Sequence, residues 1–227
     1  AGRMVLSLIL VPFLTRLMGT ETYGVWVILF QVVGYFSLLD LGLGSAVVRF
    51  VSRHLEPPDD ATISRILNTA NLMCLGLGLL AFLAAWLFSY WLDSVFDIDK
   101  TLAAQAADAL TVLGAYLMLR FWLLPFGGSL EAFQRTDLDR RLGFGEDLIR
   151  AALLLAVLYL HGTLVHLALV VFGVSLLRQV AGIFMTHRVF RGLRLSLADA
   201  DRETAIELAR YSRISLGITL CWVVLLN

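Results

Sequence analysis

The sequence predicts an all-α membrane protein whose helices cross the bilayer several times. Hydrophobic residues make up 59% of the chain and charged residues 16%, whereas soluble domains are about half apolar and about a quarter charged. The mean hydropathy is +0.82. The apolar residues form long continuous runs without sustained strand alternation, and backbone groups in lipid must be satisfied within their own segment, which favours helices. We therefore expect a polytopic bundle of six transmembrane helices forming one lobe, plus the start of a seventh helix.

The apolar runs are close to the length that a membrane helix needs. A hydrocarbon core of roughly 30 Å takes about 20 residues of helix. Charged or turn residues separate six such runs, at residues 4–18, 25–51, 66–92, 106–133, 142–160 and 164–184, and a seventh begins at residue 214. The first run is short, the chain stops within the seventh, and the beginning does not resemble a signal peptide. We interpret the chain as an N-terminal piece of a longer protein.

Two of these runs contain residues that bend or break helices. The run 25–51 is longer than one crossing requires, which implies tilt or a bend, and Gly42 and Gly44 are the expected bending points. In the run 106–133, Pro125 is followed by Gly127 and Gly128. Proline removes a backbone donor, so we predict a kink or break there.

Basic residues indicate how the helices are oriented. Arginines and lysines concentrate in short cytoplasmic loops. The even-numbered loops contain most of them, at Arg49, Arg53, Arg65, Arg135, Arg140, Arg141, Arg188, Arg191, Arg194, Arg202, Arg210 and Arg213. The odd-numbered loops contain few, at Arg16 and Lys100. The alternation predicts a multi-pass protein of the cytoplasmic (inner) membrane with a cytoplasmic N-terminus.

Composition and motifs argue against several other functions. The chain has 18 basic and 18 acidic residues and a formal net charge of +0, whereas nucleic-acid binding requires a basic face. Cys74 and Cys221 both lie in apolar runs, so they form neither a disulfide framework nor a metal site. No phosphate-binding glycine loop with its lysine and no nucleophile with a base is recognisable. We therefore expect no enzyme activity, no cofactor and no metal.

Polar residues within or beside the apolar runs are candidates for a substrate cavity. A charge buried in hydrocarbon costs several kcal/mol unless it meets a partner or water, so such a side chain is expected to face protein or a cavity. Guanidinium groups also bind pyrophosphate through paired hydrogen bonds, which suits an anionic substrate. The candidates are Asp40, Arg49, Arg120, Arg178 and Gln179.

The candidates differ in their settings. Asp40 and Arg49 are nine residues apart, on different faces of a regular helix, so they do not pair directly. Arg49, near the inner boundary, is expected to reach lipid phosphates, while structural and functional roles are equally open for Asp40. Glu146 and Arg150 stand at i, i+4, which predicts an intrahelical ion pair. Asp147 is then left without an obvious partner, and it joins Asp40 as a candidate ion-coupling residue.

Two segments near the start resemble a known family. Residues 16–26 read RLMGTETYGVW, and residues 35–46 read YFSLLDLGLGSA. They are similar to the start of the oligosaccharide flippases, the polysaccharide biosynthesis membrane proteins of the multidrug/oligosaccharidyl-lipid/polysaccharide (MATE-like) exporter superfamily. The helix spacing and the charge pattern agree with that family over essentially the whole chain. Asp40 matches the family's acidic position in the second helix, whereas Arg120 and Arg178 are nominated from chemistry alone.

The resemblance implies two lobes of helices around a cavity that opens alternately to either side of the membrane. This chain would supply the first lobe at residues 1–185, a cytoplasmic linker at 186–213 and the start of the second lobe at 214–227. The implied substrate is a polyprenyl-pyrophosphate-linked oligosaccharide, moved to the outer leaflet during synthesis of a surface polysaccharide such as O-antigen. The implied partners are this lipid-linked oligosaccharide, membrane lipid, and a polysaccharide polymerase or glycosyltransferases.

Two other functions stay open on the same residues. A cation-coupled drug or metabolite exporter of the same superfamily would use Asp40 as a proton or sodium site and would show ion-dependent efflux. A non-transporting scaffold of a glycan synthesis complex would tolerate substitutions in the cavity but not at its interfaces.

Overall fold

The computed structural model describes residues 11–37, 42–55, 59–92, 99–190 and 200–213. Over these ranges the chain is almost entirely helical and contains no β-strand. The all-α fold class is thereby confirmed. The apolar runs form helices because a helix pairs its backbone polar groups within the segment itself.

The helices follow one another in chain order. They are α1 (residues 11–18), α2 (Thr20–Ser37), α3 (Leu43–Ser52), α4 (Asp60–Ser89), α5 (Lys100–Trp122), α6 (Leu124–Ala132), α7 (Thr136–Tyr159), α8 (Leu164–Val189) and α9 (residues 202–213). Helices α4, α5 and α7 each begin six residues before the predicted apolar run, at 60 instead of 66, 100 instead of 106, and 136 instead of 142. The apolar pattern therefore underestimates helices whose first turns are polar.

Acidic residues explain two of these polar starts. Asp59 precedes α4 and accepts a hydrogen bond from the Thr62 backbone N–H at 3.1 Å, which satisfies one of the unpaired donors of the first turn. The hydrogen bonds from Thr62 lower the pKa of Asp59. Asp137 and Asp139 lie in the first turn of α7, where negative charge is favourable. The segment 134–141, which separates two of the predicted apolar runs, is therefore largely helix.

Three helical segments are long and apolar enough to cross a membrane. They are α4, the stretch Lys100–Ala132 that comprises α5 and α6, and α8. The described residues do not support the predicted count of six. The second predicted span is split into α2 and α3. The fifth, in α7, carries many charges, at Asp137, Asp139, Arg140, Arg141, Glu146, Asp147 and Arg150. The structure thus shows a helical membrane protein with three candidate spans in its described part.

The helices group into two compact units, each with its own core. The first unit comprises Ala1–Ser37, Leu79–Met118 and Arg141–Arg178, and the second comprises Leu38–Gly78, Leu119–Arg140 and Gln179–Asn227. In the first unit α4 and α5 approach closely, since a Cβ on Gly114 would lie only 3.0 Å from the Cβ of Ala85. Ala85 and Ala81 are both fully buried, as small residues are where helix backbones meet.

In the second unit α3 and α6 are in close contact. A Cβ on Gly128 of α6 would lie 3.3 Å from the Gly44 carbonyl oxygen and 3.4 Å from Val47 Cγ1 in α3. The hydroxyl of Thr186, in α8, donates a hydrogen bond to the Phe126 carbonyl oxygen of α6 at 3.4 Å. Helix α6 is therefore fixed to two other helices of the same unit.

Both predicted interruptions of the apolar runs are present. Gly42 has a left-handed backbone (φ 77°) immediately before α3, a conformation that glycine adopts at little cost. Leu123 (φ −98°, ψ 6°) separates α5 from α6, and Pro125 lies in the first turn of α6. Proline lacks the N–H that would continue the hydrogen-bond ladder of α5. Gly127 and Gly128 lie within α6, so the break occurs just before the proline.

Helix α9, in the predicted linker, packs on the second unit. The sequence predicts helical character at 205–209, and the structure extends it to 202–213. Leu208 is fully buried, and the Asp201 backbone N–H donates a hydrogen bond to Thr69 Oγ1 at 3.1 Å. The Asp201 carboxylate caps α9 by accepting from the Thr204 N–H at 2.9 Å, and the hydrogen bonds from Thr204 lower the pKa of Asp201. The predicted lobe and linker boundaries stay predictions.

Candidate functional site

The candidate residue Arg49 contacts the linker helix. Its guanidinium carbon lies 4.8 Å from the centroid of the Tyr211 ring in α9, and Phe50 meets the same ring edge-on at 6.1 Å between centroids. Such a cation–π contact is worth about 0.5–1 kcal/mol at an exposed site, and Arg49 is exposed. Arg49 therefore helps to hold α9 against α3. Asp40, the acidic candidate earlier in this run, lies outside the described residues.

Arg120 lies in the last turn of α5, shortly before the break at Leu123. Its side chain is exposed, whereas its neighbours Leu117 and Phe121 are buried. An arginine that deep in an apolar helix is expected to meet water or protein, because contact with lipid tails is costly. A cavity-lining role for Arg120 is consistent with its exposure and stays a prediction.

An asparagine on α4 stabilises the break after α5. Phe126 N–H bonds to the Leu123 carbonyl oxygen at 3.2 Å, so it does not satisfy the Trp122 carbonyl oxygen as a continuous helix would. Asn71 Nδ2 donates to that oxygen at 2.9 Å, and Trp122 Nε1 donates to Asn71 Oδ1 at 2.8 Å. Asn71 therefore forms two interhelical hydrogen bonds, which join α4 to the end of α5.

A group of charged side chains in the first unit joins α7 to α8. Arg150 Nη2 donates a hydrogen bond to Glu146 Oε1, which confirms the predicted i, i+4 pair. Arg178 Nε, on α8, lies 3.2 Å from Glu146 Oε2. The Glu146 side chain is 10% exposed, and those of Arg150 and Arg178 are 24% and 26% exposed. We call Glu146, Arg150 and Arg178 the α7–α8 charge cluster.

The interhelical half of this cluster was not predicted. Arg178 lies 32 residues beyond Glu146, and the local pairing with Arg150 already accounts for Glu146. The only available signal was that an arginine within an apolar run requires a partner. Asp147, which was expected to have no obvious partner, is half-buried and interacts with other residues. Gln179, which follows Arg178, is buried.

The first unit also contains a polar cavity of about 430 Å³. None of the described candidate residues lines this cavity, which is bordered by the α1–α2 region, the start of α5 and the α7–α8 turn. Its polar lining residues are Glu21, Thr22, Asp99, Thr101, Gln105, His161 and Thr163. His161 has a left-handed backbone (φ 56°) in the α7–α8 turn. Among the described residues, no group of three or more His, Cys, Asp or Glu side chains could hold a metal ion.

The chain is similar to known membrane proteins. The uncharacterized membrane protein EpsK of Bacillus subtilis (strain 168) is 27% identical over 128 residues, a match that covers 55% of this chain and 25% of EpsK. The chain thus matches about a quarter of the length of that relative. No solved structure matches the chain significantly. The family model described as "Polysaccharide biosynthesis protein" matches residues 2–226. Because this match covers almost the whole chain, the chain belongs to the polysaccharide biosynthesis protein family.

Proposed function

We propose that the protein is a flippase that moves a polyprenyl-pyrophosphate-linked oligosaccharide from the inner to the outer leaflet of the cytoplasmic membrane. The observation that carries this proposal is the family match over residues 2–226. Synthesis of a surface polysaccharide from lipid-linked units requires a step that brings the sugar headgroup across the bilayer. A helical membrane protein without a recognisable catalytic motif suits that step better than a synthetic one.

Two arginines in the candidate spans supply positive charge for the proposed substrate. Arg120 lies in the span Lys100–Ala132, and Arg178 lies in the span Leu164–Val189. Guanidinium groups bind phosphate oxygens in pairs, so each of these side chains is suited to contact a pyrophosphate. Gln179 adds a buried hydrogen-bonding group next to Arg178. In the proposed mechanism cationic side chains hold the pyrophosphate while the lipid tail stays in the bilayer, and Arg120 and Arg178 are separate candidates for that contact.

Alternating access completes the proposed mechanism. Residues 1–185 belong to the first lobe, with a cytoplasmic N-terminus, and the second lobe, predicted to begin at residue 214, lies outside the described residues. Rocking of the two lobes exposes the headgroup to the outer side. Asp40 or Asp147 serves as the site of ion coupling. Glycosyltransferases supply the loaded lipid, and a polymerase takes the flipped product.

Substitution of Arg120 tests this proposal. Arg120→Ala removes a cation deep in a candidate span, whereas Arg188→Ala removes an exposed arginine from the last turn of α8. We expect Arg120→Ala to abolish polysaccharide export in a flippase-deficient strain and headgroup movement in liposomes. Arg188→Ala should retain both. Membrane levels of the two variants, measured by immunoblot, should equal those of the unsubstituted protein.

The same experiments distinguish the other functions. Normal export by Arg120→Ala would contradict the assigned role of this arginine. Ion-dependent drug efflux without movement of the lipid-linked oligosaccharide would favour the exporter. A scaffold would leave export unaffected by substitutions at Arg120, Arg178 and Gln179, and would lose it on substitution of contact surfaces.

A further inference from the structure

We propose that Glu146 takes the place of the substrate anion in the empty transporter: it holds Arg178 until a phosphate group of the substrate displaces it. This inference rests on the proposed function, because it describes how the same transporter would receive an anionic headgroup. It assigns Glu146 a positioning role that the i, i+4 pairing with Arg150 does not require.

The geometry allows Glu146 to give up one arginine and keep the other. Arg150 bonds Glu146 Oε1, and Arg178 approaches Oε2 at 3.2 Å. Each guanidinium thus uses a different carboxylate oxygen. Removing one partner from a buried pair is costly because it leaves an uncompensated charge. Here Arg178 can turn to another anion while Glu146 retains Arg150, so the exchange avoids that cost.

The charge balance of the cluster suits the entry of an anion. Arg150 and Arg178 bring two positive charges to the α7–α8 charge cluster and Glu146 brings one negative charge, so its three side chains carry a formal charge of +1. That charge attracts an anion, and the Glu146 carboxylate already occupies Arg178. A pyrophosphate, however, carries more charge and more acceptor oxygens than a carboxylate, and guanidinium binds phosphate bidentately. It can therefore compete with Glu146 for Arg178.

One donor in the cluster also has capacity for a ligand. Arg150 Nε is buried and has no hydrogen-bond partner among the described residues. Buried donors are rarely left unsatisfied in folded proteins. An anion that enters the cluster could accept a hydrogen bond from Arg150 Nε and so remove this penalty.

The cluster lies within two of the predicted apolar runs. Glu146 follows the start of the run 142–160 by four residues, and Arg178 precedes the end of the run 164–184 by six. At 1.5 Å per residue of helix, these offsets are about 6 and 9 Å. Both ends adjoin arginine-rich segments that are predicted to be cytoplasmic, the side from which the proposed substrate enters.

Glu146→Gln tests the exchange in the full-length protein purified in detergent. The substitution keeps the size of the side chain and removes the charge that competes for Arg178. Isothermal titration calorimetry should show that inorganic pyrophosphate binds Glu146→Gln at least about fivefold more tightly than the unsubstituted protein. This factor is the lower end of the coupling usually found between two sites. Asp137→Asn is the matched control, because it removes a carboxylate from the exposed pair of Arg135 and Asp137. It should leave the affinity unchanged.

A second variant keeps the test decisive if Glu146→Gln does not fold. Arg178→Lys retains the charge next to Glu146 but loses the planar fork that binds phosphate. It should weaken pyrophosphate binding by a factor of at least about five, which is the lower end of the coupling usually found between two sites. Arg150→Lys should have a smaller effect. Unchanged affinity in Glu146→Gln, or in Arg178→Lys where the first variant does not fold, would overturn the exchange.

Lipid probes separate this inference from the proposed function. In nanodiscs, Glu146→Gln should bind polyprenyl pyrophosphate more tightly without a matching gain for phosphatidylglycerol. Equal gains for both lipids would overturn the assignment of Arg178 to substrate. If polyprenyl pyrophosphate does not bind at all and the inorganic pyrophosphate gain persists, the proposed function fails while the anion exchange stands.

Discussion

Two adjacent glycines allow the contact between α3 and α6 to be tested. A Cβ on Gly128 would lie 3.3 Å from the Gly44 carbonyl oxygen, whereas a Cβ on Gly127 would have no atom within 4 Å. Both glycines lie in α6, so they share the same helix and nearly the same sequence context. Gly128→Leu should therefore force α3 and α6 apart, and Gly127→Leu should not.

The expected difference in the free energy of unfolding follows from these distances. Replacing glycine in a helix interior gains up to about 1 kcal/mol of helix propensity at either position. At Gly128 the added atoms meet the α3 backbone, which cannot rotate away as a side chain would. Overpacking of this kind typically costs about 1–3 kcal/mol. Gly128→Leu should thus be about 2 kcal/mol less stable than Gly127→Leu.

Thermal unfolding in detergent, followed by loss of the monodisperse size-exclusion peak, measures this difference. For a chain of this length, 2 kcal/mol corresponds to a Tm about 4–8 °C lower. Gly128→Ala should fall between the two leucine variants, because its single added carbon needs only a few tenths of an ångström. Equal Tm values for Gly128→Leu and Gly127→Leu would refute the close contact between the two helices.

Two further predictions concern hydrogen bonds of the second unit. Asn71→Ala should lower the free energy of unfolding by about 1–3 kcal/mol, because the Trp122 carbonyl oxygen and indole N–H both lose their partner. Trp122→Phe removes only the indole donor and should lower the Tm less than Asn71→Ala does; a larger decrease for Trp122→Phe would contradict the role of Asn71. For Asp201, a lowered pKa means that the charged cap contributes stability above its ordinary value of 3.8 and loses it as the pH falls through the folded-state pKa. Hydrogen exchange of the α9 amides should therefore lose protection on acidification below that range, and Asp201→Asn, which cannot titrate, should remove this pH dependence.

The helical character and its interruptions could be predicted because they depend on local chemistry. Long apolar runs predict helices, Pro125 predicts the break after α5, and Gly42 predicts a bend before α3. The apolar pattern places the starts of α4, α5 and α7 too late in the chain. Their first turns are polar, with Asp59 before α4 and Asp137 in α7, so a search for apolar residues does not include them. The count of six spans rested on the same apolar pattern, which took the run 142–160 as a span although α7 carries many charges.

The contacts of the candidate site could be predicted only in part. Glu146 and Arg150 pair through a spacing that any helix imposes, and the structure shows that pair. The approach of Arg178 to Glu146 and of Arg49 to Tyr211 joins residues far apart in the chain, where no periodicity relates one to the other. Chemistry indicated that such arginines need partners, but only the packing of helices decides which partners they meet.

The attachment of α9 has a practical use for measuring conformational change. Helix α9 is capped by Asp201, whose N–H bonds Thr69 of α4, and its Tyr211 contacts Arg49 of α3. It is therefore expected to move together with those parts of α3 and α4. Ile206 lies on its outer side with 57% of its surface exposed. A spin label or fluorophore at residue 206 would therefore report movement of α3 and α4 during the proposed transport cycle, without disturbing any charged residue of the spans.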